Sequence, residues 1–466
     1  MSILWTKDEA LAATGGKAYG QWCVGGISID TRELEQGDLF VALKDVRDGH
    51  DFVNTALQMG AGAALVSRRP EGVSKDAPLL VVPDVLDGLV ALGLAARTRT
   101  KAKVIGVTGS VGKTGTKEML RAALQVQGKV HAAVRSFNNH WGVPLTLARM
   151  PKDTDFALIE IGMNHPGEIG PLARTAQLDV AVITTVAAVH MEAFDSVDQI
   201  AEEKAAIFEG LNESGVALVN ADIPNLSVIQ KIRGAGQTVL FGQNVGTNIC
   251  LVSAQDTDQG SAVEAIFHGD PILFKIGAPG RHLVMNGLAV LGAVQAVGGD
   301  VAQAILALAS WRAPSGRGQR FLVQTGENSD TLELIDESYN ANPTSMKAAL
   351  AVLASVTPQA GGNRVAFLGD MLELGPEELA LHSELSTCHS IEQVHKVHTS
   401  GPLMKALHDA LAEHQRGRHF EGAAEMSACV NALLQPGDVA MVKGSLGSKV
   451  GQVVTAIKSL GKTSEK

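Results

Sequence analysis

Residues 103–125 read KVIGVTGSVGKTGTKEMLRAALQ: a β-branched strand, a glycine turn, and a helical pattern that opens at Lys113. Strand, glycine loop and helix in that order suit a phosphate. Successive backbone N–H groups, the positive end of the helix dipole and the Lys113 ammonium would all face an anion. The Thr114 hydroxyl stands where it could ligate Mg2+. The common spacing G-x-x-x-x-G-K-[ST] is not met, because Val107 lies five residues before Gly112 and Gly109 only three. The loop is the compact form T-G-S-x-G-K-T, running Thr108, Gly109, Ser110, Val111, Gly112, Lys113 and Thr114. ATP or GTP is the expected ligand. Such a loop serves kinases, ATPases, ligases and nucleotide sensors alike.

The same rhythm of apolar run and Gly-bearing turn recurs in DFALIEIG (155–162), DVAVITTV (179–186), RVAFLGDM (364–371) and DVAMVKGS (438–445). Alternation with helical patterns predicts an α/β fold with mostly parallel sheets. Composition breaks at ARTRTKAK (96–103) and WRAPSGRGQR (311–320) divide the chain into three expected domains, 1–103, 104–312 and 313–466. The net charge of -10, with no Lys/Arg block, speaks against a nucleic-acid partner. Four scattered cysteines without a CxxC pair give neither a disulfide framework nor a zinc ribbon, and a reducing cytoplasm fits. CHSIEQVHKVH (388–398) has the spacing of no common zinc site.

The opening MSILWTKDEALAATGG lacks the basic-then-apolar order of a signal peptide and reads as a helix, with Thr6 and Glu9 as a capping box. No run of about 18 apolar residues predicts a membrane span. EQGDLFVAL (35–43) reads as a turn into an edge strand, and the tail GKTSEK (461–466) as a frayed end.

Several residues stand where chemistry could use them. Glu160 ends a buried apolar strand; it is either a solvated rim carboxylate or a ligand at the sheet edge where such sites gather. His190 follows the next strand and could pack, cap or face a site. SVDQIAEEKAAIFEGL (196–211) reads as one helix with Ser196 and Gln199 as its capping box. Lys204 sits inside that helix's apolar stripe, either snorkelling to solvent or pointing inward with an altered pKa. His282 and Asn286, four residues apart, share a helix face. Asp336 ends a strand, and a helix should begin near Pro343 and Thr344. Of Arg317 and Arg320, either could reach a terminal phosphate; Arg317 is favoured.

The compact loop resembles the ATP-binding signature of the Mur ligase family, relatives of folylpolyglutamate synthase that join an amino acid or peptide to a carboxylate through an acyl phosphate. DESYNANPTSM (336–346) closely resembles the branch that adds D-alanyl-D-alanine, and the DNPR run of the diaminopimelate-adding branch is absent. The resemblance implies a smaller α/β N-terminal domain for the UDP-sugar, a central P-loop-type ATPase domain, and a Rossmann-like C-terminal domain that receives D-Ala-D-Ala. It implies ATP contacts from the compact loop, Asn286, Asp336, Tyr339 and Asn340, and Mg2+ held by Thr114, Glu160, His190 and a carbamylated Lys204. Lys113, Glu160, His190, Lys204 and Arg317 would form the catalytic set.

Thr31 and Arg32, the Asp48-Gly49-His50 motif, and Asn138, Asn139 and His140 match segments that meet UDP-MurNAc-tripeptide in the family. Asp370, Lys443 and Ser445 match the D-Ala-D-Ala side. Two departures appear: Gly115 replaces a frequent hydroxyl residue, and the residues after Ser445 lack a frequent arginine. A cytoplasmic monomer making UDP-MurNAc-pentapeptide is the implied protein. A non-catalytic nucleotide-binding regulator and a P-loop kinase are the rivals.

Overall fold

The computed structural model describes residues 3–134, 136–257, 259–325 and 330–466, and these build three large sheets in successive stretches of chain. The central sheet has nine strands, ordered Val130–Ala132, Phe156–Glu160, Lys103–Thr108, Leu178–Ile183, Leu211–Asn220, Thr238–Gly242, Ile249–Thr257, Gly260–Phe267 and Asp270–Ile276. Its first seven strands run parallel, and the last two fold back antiparallel.

The strands are apolar throughout because both faces are covered. Val180 and Val182 enter one core with the helices Lys113–Gln125 and Arg281–Ala296; Ala181 and Ile183 enter the other with Ile169–Ala176 and Val197–Ala205. From Lys103–Thr108 the chain first builds the sheet to one side, through Val130–Ala132 and Phe156–Glu160, and then to the other. That reversal opens a crevice at the carboxyl ends of the strands, directly above residues 109–112.

The N-terminal sheet is ordered Lys17–Tyr19, Leu79–Val81, Ala63–Val66, Asp38–Val41 and Gly26–Ser28. Asp38–Val41 is therefore an interior strand, not the expected edge. The reason is burial on both faces: Leu39 and Val41 enter one core, Phe40 the other. The basic stretch 96–103 is clamped rather than loose. Helix Val85–Thr98 covers its start, and Arg99 donates to the carbonyls of Leu4 and Met150 while stacking on Trp5.

The C-terminal sheet is ordered Arg416–Phe420, Lys396–Ser400, Arg364–Gly369, Val439–Lys443, Thr331–Glu337, Gln319–Gln324 and Lys462–Glu465. The tail expected to fray is its edge strand. It pairs antiparallel with Gln319–Gln324, and Lys466 Nζ lies 2.6 Å from Glu333 Oε2. Backbone ladder bonds hold a polar strand that no hydrophobic pattern announces.

The Thr6–Glu9 capping box forms, and the helix Pro343–Ser355 begins at the expected place behind an Asn342 cap. The segment read as one helix over 196–211 divides instead. The helix Val197–Ala205 tightens into a 3-10 turn, Ala206–Gly210, and Leu211 already opens the next strand. Half of the expected capping box forms, Ser196 Oγ accepting from Gln199 N at 3.2 Å, while the Gln199 side chain accepts from Asp195 N rather than from Ser196. Among the described residues no helix is long and apolar enough to cross a membrane.

Candidate functional site

Gly109 has φ +152°, and a Cβ there would stand 2.0 Å from Thr184 Oγ1. Only glycine lets the loop lie this close to the neighbouring strand end. The loop is strapped to it: Ser110 N donates to Thr185 O (3.0 Å) and Val111 N to Thr185 Oγ1 (2.9 Å). The amides of Ser110 and Val111 are thus engaged, contrary to a cradle made of every loop N–H. Gly112 caps the helix Lys113–Gln125, whose first amides have no intrahelical acceptor. The compact loop leaves the anion to the helix end and to Lys113, whose Nζ rests 2.6 Å from Gly109 O.

Glu160 is buried where its strand ends. Its carboxylate accepts from Thr114 Oγ1 at 3.0 and 3.1 Å and from Asn138 Nδ2 at 2.9 Å. Lys117 Nζ lies 3.9 Å from the same carboxylate and donates to Ala133 O (2.8 Å). Sequence reasoning missed Lys117, although the signal was present. It lies in the stripe Lys117, Leu120 and Leu124 of its helix, as Lys204 does in its own.

Lys204 points inward. It is 2% exposed, and its Nζ meets Met163 Sδ at 3.7 Å. The adjacent Glu203 accepts the amides of Gly167 (2.7 Å) and Ile169 (2.8 Å). Burial, reinforced by the Lys113 charge, pushes the Lys204 amine well below the usual lysine range. Burial lowers Lys113 as well, against the pull of Glu160. It also lowers His190, whose Nδ1 is 3.0 Å from Glu373 Oε2.

Lys113, Thr114, Asn138, Glu160 and His190 line a cavity of about 250 Å³ between the central and C-terminal sheets. The central part contributes Ser110 through Thr114, Glu160, His190, His282 and Asn286; the C-terminal part contributes Arg317, Tyr339, Asn340 and Lys443. Arg317 donates to Ser136 Oγ (3.1 Å) and covers the Tyr339 ring at 4.2 Å. Arg320 points elsewhere, into a buried ion pair with Glu333. Lys443 Nζ is held by Glu337 Oε2 (3.3 Å) and Asn340 O (2.9 Å).

Not every sequence candidate reaches this wall. Thr108 and Gly109, at the start of the loop, do not line the cavity, and Lys204 lies behind Met163. Asp336 binds the amides of Gly316 and Ser338, organising the loop that carries Arg317. Asp370 accepts Met404 N, and Ser445 donates to Ala341 O. Asn138 and Asn139 line the cavity. His140 instead faces a separate cavity of about 290 Å³ with Asp48, His50 and Arg68. Thr31 and Arg32 line neither, and Arg32 pairs with Asp30 at 2.5 Å.

Family models described as "Mur ligase middle domain" and "Mur ligase, glutamate ligase domain" match residues 107–294 and 319–446. A Bacillus subtilis protein named UDP-N-acetylmuramoyl-tripeptide--D-alanyl-D-alanine ligase is 34% identical over 440 residues, covering 94% of this chain and 93% of the relative. The crystal structure of MurF from Acinetobacter baumannii superposes with a TM-score of 0.86 at 27% identity, covering 98% and 99% of the two chains. That of MurF from Thermotoga maritima in complex with ADP gives a TM-score of 0.79 at 25% identity, covering 93% and 97%.

Proposed function

Because this chain belongs to the Mur ligase family, we propose that it uses ATP to join D-alanyl-D-alanine to UDP-MurNAc-tripeptide, releasing ADP, phosphate and UDP-MurNAc-pentapeptide. The observation that carries this reading is the shared cavity, where Lys113, Thr114 and Glu160 of one unit face Arg317, Tyr339 and Lys443 of another. The units 1–103, 104–312 and 313–466 are read as the UDP-sugar, ATP and dipeptide parts.

The donor set fits a magnesium ion. A hydroxyl and a carboxylate, Thr114 and Glu160, lie in contact, His190 lines the same wall, and the buried Lys204 amine meets the Met163 thioether. A carbamate on Lys204 would turn that amine into an oxygen donor. Thr114 and Glu160 would hold Mg2+, His190 would assist a second Mg2+, and carbamylated Lys204 would be a further magnesium ligand. The ion would offset charge on the transferring phosphoryl oxygens.

The helix amides from Gly112 onward and Lys113 orient the ATP phosphates. Arg317 stabilises charge as the substrate carboxylate attacks the γ-phosphorus and ADP leaves, giving an acyl phosphate. Asn286, Tyr339 and Asn340 border the rest of the nucleotide. The dipeptide amine then attacks the acyl carbon; a peptide bond forms, phosphate departs, and the amine proton is lost. Asp370, Lys443 and Ser445 organise the edge from which the dipeptide approaches. Free, scattered cysteines fit a reducing cytoplasm.

The test incubates protein with ATP, Mg2+ and UDP-MurNAc-tripeptide, with and without D-Ala-D-Ala, following phosphate and product mass. Pentapeptide formed only with the dipeptide, and lost in Lys113→Ala, supports the reading. ATP binding without turnover would favour a regulator, and a phosphorylated stable product a kinase.

A further inference from the structure

His190 (φ 56°) and Glu373 (φ 63°) are two of only five non-glycine residues with left-handed backbone among those described, and they contact each other across the two units. A side chain is disfavoured in that conformation, so it persists where surrounding structure imposes it. On the C-terminal side, Met371 and Leu374 are buried in the core and fix the loop from both ends of Glu373. Gly375 (φ 71°) lets this loop press on the central unit: a Cβ there would meet Met191 C at 3.3 Å and Glu192 N at 3.4 Å. On the central side, Met191 and Ala193 pack against the core, and Ala193 N donates to His190 O at 2.9 Å.

Stability does not account for the pair. The Glu373 side chain is 65% exposed, and an ion pair with so wet a partner adds little. Its geometry does something else. A carboxylate only accepts, so Nδ1 of His190 must carry the proton, and in the neutral ring Nε2 keeps its lone pair.

We propose that Glu373 is a positioning residue for His190: the C-terminal unit, when docked on the central one, supplies the carboxylate that fixes the ring's tautomer and orientation at the cavity wall. The site is then complete only with the two units together. This rests on the ligase reading, in which His190 serves the metal.

The test compares the full chain with Glu373→Ala and Glu373→Gln. Ring-nitrogen NMR without metal, with the His190 signal assigned by its loss in His190→Asn, should show the Nδ1–H tautomer in the parent and a shift toward Nε2–H in Glu373→Ala. In the ligase assay, Glu373→Ala should raise half-saturating Mg2+ about tenfold. KM for ATP and the melting temperature should stay unchanged, and Glu373→Gln, which can still accept, should recover most of the loss. An unchanged tautomer together with unchanged Mg2+ dependence in Glu373→Ala would overturn the proposal. Should the parent protein make no pentapeptide, the ligase reading falls by itself, and the tautomer comparison still decides the role of Glu373.

Discussion

Lys204→Met should stabilise the protein while abolishing its phosphate release. The lysine is 2% exposed, its Nζ meets the Met163 thioether at 3.7 Å, and the neighbouring Glu203 is committed to two backbone amides. Methionine keeps the length and packing of the stem and removes the charge that burial penalises. Each pH unit by which burial lowers the amine below the ordinary lysine range costs the parent up to about 1.4 kcal/mol, and the variant escapes that cost.

The gain has a pH signature. Because the native amine is pushed far below its unfolded value, the unfolded chain binds a proton that the native chain does not. Parent stability therefore rises with pH from the lowered native pKa up to the ordinary lysine range near about 10.4. The variant lacks that slope, so its advantage should shrink by up to about 1.4 kcal/mol per pH unit within the window. Calorimetric melting in bicarbonate-free buffer at pH 7, 8 and 9 reads both features, at about 2–4 °C per kcal/mol for a unit of roughly 200 residues. A variant less stable than the parent at pH 7, or an advantage equal at pH 7 and 9, would refute the reasoning.

Arg317→Ala should lower kcat/KM by about 100- to 1,000-fold with melting unchanged, because its guanidinium faces the cavity. Arg320→Ala should instead cost about 1.5–3 kcal/mol in urea unfolding, since it strips one of two cationic partners from buried Glu333 and leaves Lys466. Gly109→Ala drives a methyl against Thr184 and should weaken ATP binding about 100-fold by titration calorimetry; unchanged affinity would sink the strapped-loop account. Deleting residues 462–466 removes a four-pair ladder and the Lys466–Glu333 bridge, and should cost about 2–4 kcal/mol in the same unfolding assay.

Much of the site is legible in one dimension because its parts are local. The strand before Gly109, the helix after Gly112 and the Asn342 cap before Pro343 each depend on residues within about one turn of themselves. Lys204 was legible as an anomaly, a lysine within an apolar stripe, and Lys117 carried the same signal unnoticed. Other errors share one cause. The interior place of Asp38–Val41 and the strand at Lys462–Glu465 both depend on partners brought in from elsewhere in the chain. A polar edge strand is held by backbone bonds, and those leave no hydrophobic period to read.

The sequence by itself determined the α/β alternation, the phosphate loop, the Mur ligase resemblance and the residue types available for catalysis. Periodicity, capping and turn chemistry act between near neighbours. Only the tertiary structure decided that Thr185 takes up the amides of Ser110 and Val111, that Arg317 and not Arg320 faces the cavity, and that Glu373 reaches His190. The loop strap and the Glu373–His190 contact join residues about 75 and 183 positions apart, and even Arg320 is turned away by a residue on the neighbouring strand, geometry that is set only when strands and layers pack.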